Sequence, residues 1–197
     1  MKLQVSNSNA AVWRDITVKS DLPSKLKPLE ELAKNLWWVW NSEAKALFRD
    51  LNPDLWRNTG ENPVMVLQQL SSERLAEVIA DKAMMARIDK VYGKFKEYMA
   101  KPMRSDIPSV AYFSMEYGLC NALKIYSGGL GVLAGDYIKE ASDSCVPMTA
   151  VGFLYRYGYF TQSLSVDGQQ IANYEAQNFN QLPIEQVMED NGRPMIL

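Results

Sequence analysis

The sequence contains no histidine among its 197 residues. This absence excludes Ser-His and Cys-His nucleophile pairs, histidine general bases and histidine metal ligands within the chain. Any chemistry must therefore use carboxylates, Arg, Lys, Tyr or backbone dipoles, or groups on another part of the protein. The two cysteines, Cys120 and Cys145, do not form a pair with metal-ligand spacing, so no metal site is expected.

The sequence also lacks long apolar runs and an excess of charge of either sign. No run approaches the roughly 20 residues that a membrane span needs, and the first residues contain no apolar segment typical of a secretion signal. The chain has 21 basic and 23 acidic residues, so nothing in its charge favours nucleic acid or an acidic membrane as partner. Without an export signal, reduced thiols and a cytoplasmic location are expected.

The residues that are present indicate two parts with different periodicity, the first of them helical. Its first predicted helix carries an apolar stripe at helical spacing: Leu29, Leu32, Leu36, Trp37 and Trp40. This stripe predicts that Trp37 and Trp40 face a core, and it leaves Trp38 and Trp56 as the better candidates for exposure.

Two later helix starts carry the same signal. Asn52-Pro53 and Asn62-Pro63 each offer an Asn side chain to cap free N–H groups and a proline where no N–H is needed. Residues 101–109 contain two prolines and mixed charge, which suits a connector. A mainly helical domain is therefore predicted over residues 1–105.

The second part, residues 106–197, has the pattern of an α/β unit. Residues 110–115 and 147–156 are apolar runs, as expected for strands covered on both faces. A helical pattern that should end near Ser144 lies between them, so a βαβ unit with parallel strands is predicted. Asp167-Gly168 signals a hairpin. Because the last residues read as the start of another strand, the lobe is expected to be truncated.

The stretch 126-YSGGLGVLAGD-136 places four glycines at the start of the predicted helix. In open α/β sheets ligands bind beyond the carboxyl ends of the strands, and a helix N-terminus there attracts anions. Gly129-Leu130-Gly131 with Ala134 fits a dinucleotide fingerprint, although about 15 residues separate it from the strand. The same glycines could instead make a tight turn that lets the helix pack on the sheet.

Longer segments resemble a known family. The segments VAYFSMEYGL, KIYSGGLGVLAGDYIKEASD and VPMTAVGFLYRYGYFTQ resemble α-glucan (glycogen, starch, maltodextrin) phosphorylases of the bacterial and archaeal branch. The segment LAKNLWWVWNSEAKALFRDLNPDLWRNTGENPV resembles the helical N-terminal domain of that branch. Together these segments cover the chain roughly from Leu29 to Phe179. The resemblance implies an α/β fold with a helical N-terminal domain followed by the beginning of a Rossmann-like glycosyltransferase (GT-B) lobe.

The resemblance also implies an activity. Enzymes of this family cleave the terminal α-1,4-linked glucose of a glucan with inorganic phosphate and release glucose 1-phosphate. They carry pyridoxal phosphate on a lysine of the second lobe, which this chain does not contain. The chain alone is therefore expected to hold no catalytic residue and to be inactive, and a missing C-terminal lobe is its implied partner.

The family's motifs assign site residues to this chain. Phosphate and glucose contacts fall on the glycine loop: Gly128, Gly129, Leu130 and Gly131. Glu116 and Arg156 match residues that line the same cleft, although either side chain could instead pair with a structural charge. No metal is assigned.

Two other functions remain open from the sequence. The chain could be a non-catalytic module that binds glucan or forms an oligomer, and a homo-oligomer is compatible with the phosphorylase interpretation as well. The dinucleotide fingerprint leaves an NADP-binding oxidoreductase fragment as a third hypothesis, with Arg156 as a candidate for a 2′-phosphate.

Overall fold

The computed structural model describes residues 21–195. The predictions that fall on residues 1–20, and the last two residues of the strand predicted to begin within RPMIL (193–197), lie outside the described residues. Helices occupy the first part, namely α1 (Lys27–Lys34), α2 (Ser42–Leu51), α3 (Pro53–Asn58), α4 (Pro63–Gln69), α5 (Ser72–Ala80) and α6 (Lys82–Met99). The second part contains β1 (Val110–Phe113), α7 (Gly129–Asp143), β2 (Met148–Val151), β3 (Thr161–Leu164) and β4 (Gln170–Asn173).

Side-chain caps begin most of the helices in the first part. The Asn52 side chain accepts the backbone N–H groups of Asp54 and Leu55, and Asn62 does the same for Val64 and Met65. These contacts confirm both Asn-Pro predictions. The remaining caps follow the same chemistry and come from Asn41, Ser71 and Asp81.

The first predicted helix is shorter than its apolar stripe. Asn35 has extended backbone angles, and its side chain accepts the N–H of Trp37 to start a separate 3₁₀ turn over Leu36–Val39. Because of this break, the tryptophan side chains do not point in the directions expected for one continuous α-helix. Trp37 is buried as predicted, whereas Trp40 is only half-buried.

The prediction that Trp38 and Trp56 would be exposed is wrong. Trp38 is 1% exposed and Trp56 is 3% exposed. Their rings meet edge to face at a centroid distance of 6.0 Å, and Trp38 makes a similar contact with Phe48 at 6.3 Å. The 3₁₀ turn directs Trp38 into the core, where aromatic pairs of this geometry add to the gain from burial.

The second part contains the predicted parallel pair. β1 and β2 pair in register from Val110 opposite Met148 to Phe113 opposite Val151, with α7 between them in the chain. The Asp167-Gly168 hairpin is confirmed by the antiparallel pair β3 and β4, and Gly168 has φ +76°. The structure is thus a mixture of helices with two small sheets.

The expectation that β1 and β2 are covered on both faces is wrong for this chain. Phe113 is 72% exposed, and Val110 and Val151 are also exposed. Among the described residues, α7 is the long helix beside this sheet, and it leaves these side chains exposed. The apolar character of the strands therefore exceeds what residues 21–195 can bury.

Polar contacts join the two parts. The Asn62 amide donates to the carbonyl of Gln181 at 2.7 Å, and the Tyr98 hydroxyl donates to Asp143 at 2.7 Å. Cys120 packs against both hydrophobic clusters. The segment after β1 is therefore held against the helical part at several points.

Candidate functional site

The candidate site lies where β1 ends and α7 begins. Residues 114–128 connect the two elements, and the connection brings Glu116 and Gly118 against the first turns of α7. A helix N-terminus leaves its first N–H groups without partners inside the helix. The positions of the acceptors around it decide which N–H groups remain for a ligand.

Glu116 directly binds the glycine turn, that is, the glycine loop and its preceding serine (residues 127–131). Its carboxylate accepts the N–H of Ser127 at 2.7 Å, the Ser127 hydroxyl at 3.3 Å and the N–H of Gly131 at 3.1 Å. A carboxylate in this position also interacts favourably with the positive end of the helix dipole. Glu116 is thus a residue that positions the turn.

The four glycines fall into two pairs according to what lies beside them. A Cβ on Gly131 would lie 2.6 Å from Cβ of Tyr126, and a Cβ on Gly135 would lie 2.2 Å from the carbonyl oxygen of Gly118. These two positions need glycine because other parts of the chain approach the helix there. A Cβ added to Gly128 or Gly129 would have no atom within 4 Å, so within this chain nothing occupies the space beside them.

The backbone N–H and C=O groups at the start of α7 also divide into those used within the chain and those left without a partner. Gly131 donates its N–H to Glu116 and accepts the N–H of Gly118 at 2.6 Å through its carbonyl, so both of its backbone groups are used within the chain. Among residues 21–195, no acceptor lies against the N–H groups of Gly128, Gly129 and Leu130. These three consecutive amides at the start of a 15-residue helix can bind an anion or a hydroxyl oxygen.

Arg156 lies on the segment that follows β2. Its side chain is exposed, and within the described residues its guanidinium makes no hydrogen bond or ion pair. Its carbonyl accepts the N–H of Gln177 at 2.7 Å. The structure brings Glu116 together with the glycine turn, but no contact joins Arg156 to either of them.

Sequence reasoning missed residues that hold the site together. The Tyr155 hydroxyl donates to the carbonyl of Met115 at 2.9 Å, which links the ends of the two strands. Gln177 donates to the carbonyl of Tyr155 at 2.6 Å and exchanges hydrogen bonds with the backbone of Lys124. No sequence signal marks Gln177. Gly118, which contacts the first turns of α7, could have been suspected from its place in the segment Glu116-Tyr117-Gly118.

Tyr117 packs between the loop after β1 and the ends of the two parallel strands. Its hydroxyl donates to the carbonyl of Tyr112 at 2.6 Å, and its ring lies so close to Gly152 that a side chain there would clash. Burial raises the pKa of Tyr117, which keeps the hydroxyl protonated as a donor. The side chain therefore ties the loop to the ends of both parallel strands.

The geometry does not favour a dinucleotide fingerprint. β1 ends at Phe113 and α7 begins at Gly129, so the glycines do not lie directly at the strand end. Within residues 21–195, no cluster of three or more acidic or cysteine side chains could hold a metal ion. In the same part of the chain, every helix is too short or too polar to cross a membrane.

Comparison with known proteins identifies relatives over most of the chain. It is 37% identical to glycogen phosphorylase of Mycobacterium tuberculosis strain H37Rv, over 93% of this chain and 23% of that protein. Maltodextrin phosphorylase of Thermococcus litoralis is 38% identical over 91% of this chain and 22% of its own length. Glycogen phosphorylase of Aquifex aeolicus is 41% identical over 84% of this chain and 24% of its own length. The chain thus spans less than a quarter of these relatives.

No solved structure gives a significant match. A family model described as "Protein of unknown function (DUF3417)" matches residues 22–123, which is more than half of the chain. The chain therefore belongs to the DUF3417 family, and it is homologous to an N-terminal portion of glycogen and maltodextrin phosphorylases.

Proposed function

We propose that this chain is the N-terminal part of an α-glucan phosphorylase, which releases glucose 1-phosphate from α-1,4-glucans with inorganic phosphate. The observation that carries the proposal is the glycine turn. Three consecutive N–H groups have no acceptor in the described chain, and two of their residues have open space where side chains would otherwise stand. The names of the relatives point to the same chemistry.

In this proposal the backbone of the turn contacts the substrates. The N–H groups of Gly128, Gly129 and Leu130 face the phosphate and the terminal glucose, where fixed donors stabilise developing charge better than mobile side chains. Glu116 holds the turn in place through Ser127 and Gly131. Gly131 contributes chiefly by its lack of a side chain, since its own N–H is donated to Glu116.

Arg156 lines the same cleft in this proposal. Its guanidinium has no partner among residues 21–195, so it is free to bind an anionic group. No residue of this chain is assigned to pyridoxal phosphate, which would be bound through a lysine on the remaining lobe and would supply the proton-handling phosphate group. In this proposal that lobe covers the exposed apolar faces of β1 and β2. We also propose that the enzyme is cytoplasmic.

The test is made on the native gene product purified from source cells. Its intact mass is compared with the 22.3 kDa of this chain, and the release of glucose 1-phosphate from maltodextrin and inorganic phosphate is assayed. Gly129→Ala is expected to reduce kcat/KM at least about tenfold, because a methyl group placed beside the free amides removes one hydrogen bond to a charged ligand.

Gly93→Ala in α6 is the matched control, since a Cβ added to Gly93 would also have nothing within 4 Å. It should retain full activity. A native mass of 22.3 kDa without phosphorolysis would remove the enzyme proposal, and maltodextrin binding by the chain would then favour a glucan-binding module. Equal activity of Gly129→Ala and Gly93→Ala would contradict the proposal that the glycine turn contacts the substrates.

A further inference from the structure

Gln177 connects two segments of the candidate site that lie far apart in the chain. Its Nε2 group donates to the carbonyl of Tyr155 at 2.6 Å and to the carbonyl of Lys124 at 3.3 Å. Its Oε1 accepts the N–H of Lys124 at 3.2 Å, and its backbone N–H donates to the carbonyl of Arg156 at 2.7 Å. One residue therefore makes four hydrogen bonds, all of them to main-chain groups.

The amide side chain of Gln177 is suited to this position. An amide carries two N–H donors and a carbonyl acceptor, and here both donors and the acceptor are used. Because the partners are main-chain groups, the contacts fix the course of the backbone and not only the orientation of one side chain. Replacement of the amide therefore loosens the attachment of residues 155–156 to Lys124.

The two segments also touch each other directly. A Cβ on Gly158 would lie 2.7 Å from Cβ of Lys124 and 2.8 Å from its carbonyl oxygen, so this close approach needs glycine. An antiparallel bridge between Tyr157 and Ala176 lies beside these contacts. The hydrogen bonds of Gln177 therefore hold together segments that are already packed against each other.

These contacts lead to the glycine turn on one side and to Arg156 on the other. Lys124 lies two residues before Tyr126, whose Cβ would be only 2.6 Å from a Cβ on Gly131. A shift of Lys124 would therefore change how Tyr126 packs against the start of α7. The backbone of Arg156 is bonded to Gln177 itself. Since no hydrogen bond or ion pair joins the Arg156 side chain to the turn within residues 21–195, their separation is set through Gln177.

Both ends of this connection attract anions. The Arg156 guanidinium is exposed and makes no hydrogen bond or ion pair among the described residues. The N–H groups of Gly128 and Gly129 have no acceptor in the same part of the chain, and they lie at a helix N-terminus. One anion binds both ends well only if their separation is fixed in advance, because ordering mobile groups on binding costs affinity.

We propose that Gln177 is a positioning residue, which holds Arg156 at the distance from the glycine turn at which the guanidinium and the free N–H groups bind one inorganic phosphate together. This inference rests on the proposed function, because it takes phosphate as the anion at the turn. It deepens that proposal by giving a role to a residue that touches neither the phosphate nor the sugar.

The test measures the Kd of inorganic phosphate for the full-length protein by isothermal titration calorimetry. Gln177→Met keeps the side-chain length and removes its three hydrogen bonds. The Kd should rise about tenfold, the factor that corresponds to one lost hydrogen bond to a charged group. Gln177→Glu keeps the acceptor for Lys124 and loses both donors, so it should change the Kd in the same direction. Gln170→Met, at an exposed glutamine of β4, is the matched control and should leave the Kd unchanged.

A double-mutant cycle with Arg156→Ala separates positioning from a merely structural role. Because Gln177 acts through Arg156 in this proposal, Gln177→Met should change the Kd by less than about twofold in the Arg156→Ala background. A merely structural role would instead weaken phosphate binding by the same factor in both backgrounds. Circular dichroism of each variant verifies that it is folded.

Two results would overturn the inference: an unchanged Kd in both Gln177 variants, or an equal rise in both backgrounds of the cycle. The release of glucose 1-phosphate by the wild-type protein, measured in parallel, tests the proposed function separately. If glucose 1-phosphate is released and either of these results is found, the inference alone is contradicted. If the Kd changes as expected but no glucose 1-phosphate is released, the phosphorylase proposal is contradicted and the role of Gln177 is supported. A wild-type protein that neither binds phosphate nor releases glucose 1-phosphate contradicts both.

Discussion

The helical part and the sheet part differ in how completely each buries its apolar residues. In residues 24–99, buried side chains from all six helices form one cluster with Trp38, Phe48 and Phe95 among its largest members. Among residues 100–195, the second cluster has only five buried members: Tyr117, Leu123, Ile125, Ala134 and Leu182. The helical part therefore has an extensive core of its own, whereas the sheet part leaves much of its apolar surface exposed.

The exposed apolar residues of the sheet part lie on several of its elements. Large apolar side chains are exposed on β1, on α7 and on the segment after β2, including Phe113, Leu130, Leu133, Phe153 and Tyr157. Apolar exposure of this extent in a soluble protein usually marks an interaction surface. This agrees with a chain that spans less than a quarter of its relatives.

Replacing one phenylalanine in each part by alanine should give the largest difference in the free energy of unfolding. Phe48→Ala in α2 should lower the free energy of unfolding by about 3–5 kcal/mol, because Phe48 is fully buried. Phe113→Ala in β1 should cost less than about 1 kcal/mol, since the ring is already in water. Urea unfolding followed by circular dichroism measures both. Similar losses would show that β1 is covered in solution, by a second copy of the chain for example.

Replacing one glycine in α7 and one in α6 by alanine tests how closely each helix is packed. Gly135→Ala should destabilise the chain by about 1–3 kcal/mol, because the added Cβ would collide with the backbone of Gly118. Gly93→Ala should instead stabilise it by about 0.5–1 kcal/mol, since the site is open and alanine favours helix. Thermal unfolding distinguishes the two signs. A neutral Gly135→Ala would mean that α7 can move away from the loop.

The smallest expected effect concerns the contact between the two parts at Tyr98. Burial raises the pKa of Tyr98 to about 12, and the hydrogen bond to Asp143 acts in the same direction. The unfolded value is about 10. Because folding raises this pKa, the contribution of Tyr98 to stability is complete below about pH 10 and is lost as the pH rises through about 12.

Tyr98→Phe removes this titration and keeps the ring. The wild-type chain should be more stable than this variant near neutral pH, and the difference should disappear towards about pH 12. Paired urea titrations at several alkaline pH values measure the difference. A gap that stays constant with pH would show that the Tyr98 hydroxyl does not join the two parts.

Much of the fold could be predicted from local signals. The Asn-Pro caps and the Asp-Gly hairpin depend on residues close together in the chain, and the parallel pair follows from the order strand, helix, strand; all are confirmed. The burial of Trp38 and Trp56 could not be predicted in this way. It depends on the break at Asn35, where a side-chain cap interrupts an otherwise continuous helical pattern.

The candidate site was predictable as a segment but not in its detail. The sequence indicates a glycine turn after a strand, yet it does not show which glycine faces another part of the chain. That distinction depends on Gly118 and Tyr126, which approach Gly135 and Gly131. The assignments of Glu116 and Arg156 as cleft residues remain predictions, although the structure shows Glu116 holding the turn.

The hydrogen bond from Asn62 to the carbonyl of Gln181 has a consequence for the order of folding. It joins residues 119 positions apart, while the same Asn62 side chain also caps α4 two residues away. During synthesis, at about 5–20 residues per second, the cap forms long before Gln181 leaves the ribosome. We therefore expect the helical part to fold several seconds before the segment around Gln181 can bind it, so that this segment docks on a surface that already exists.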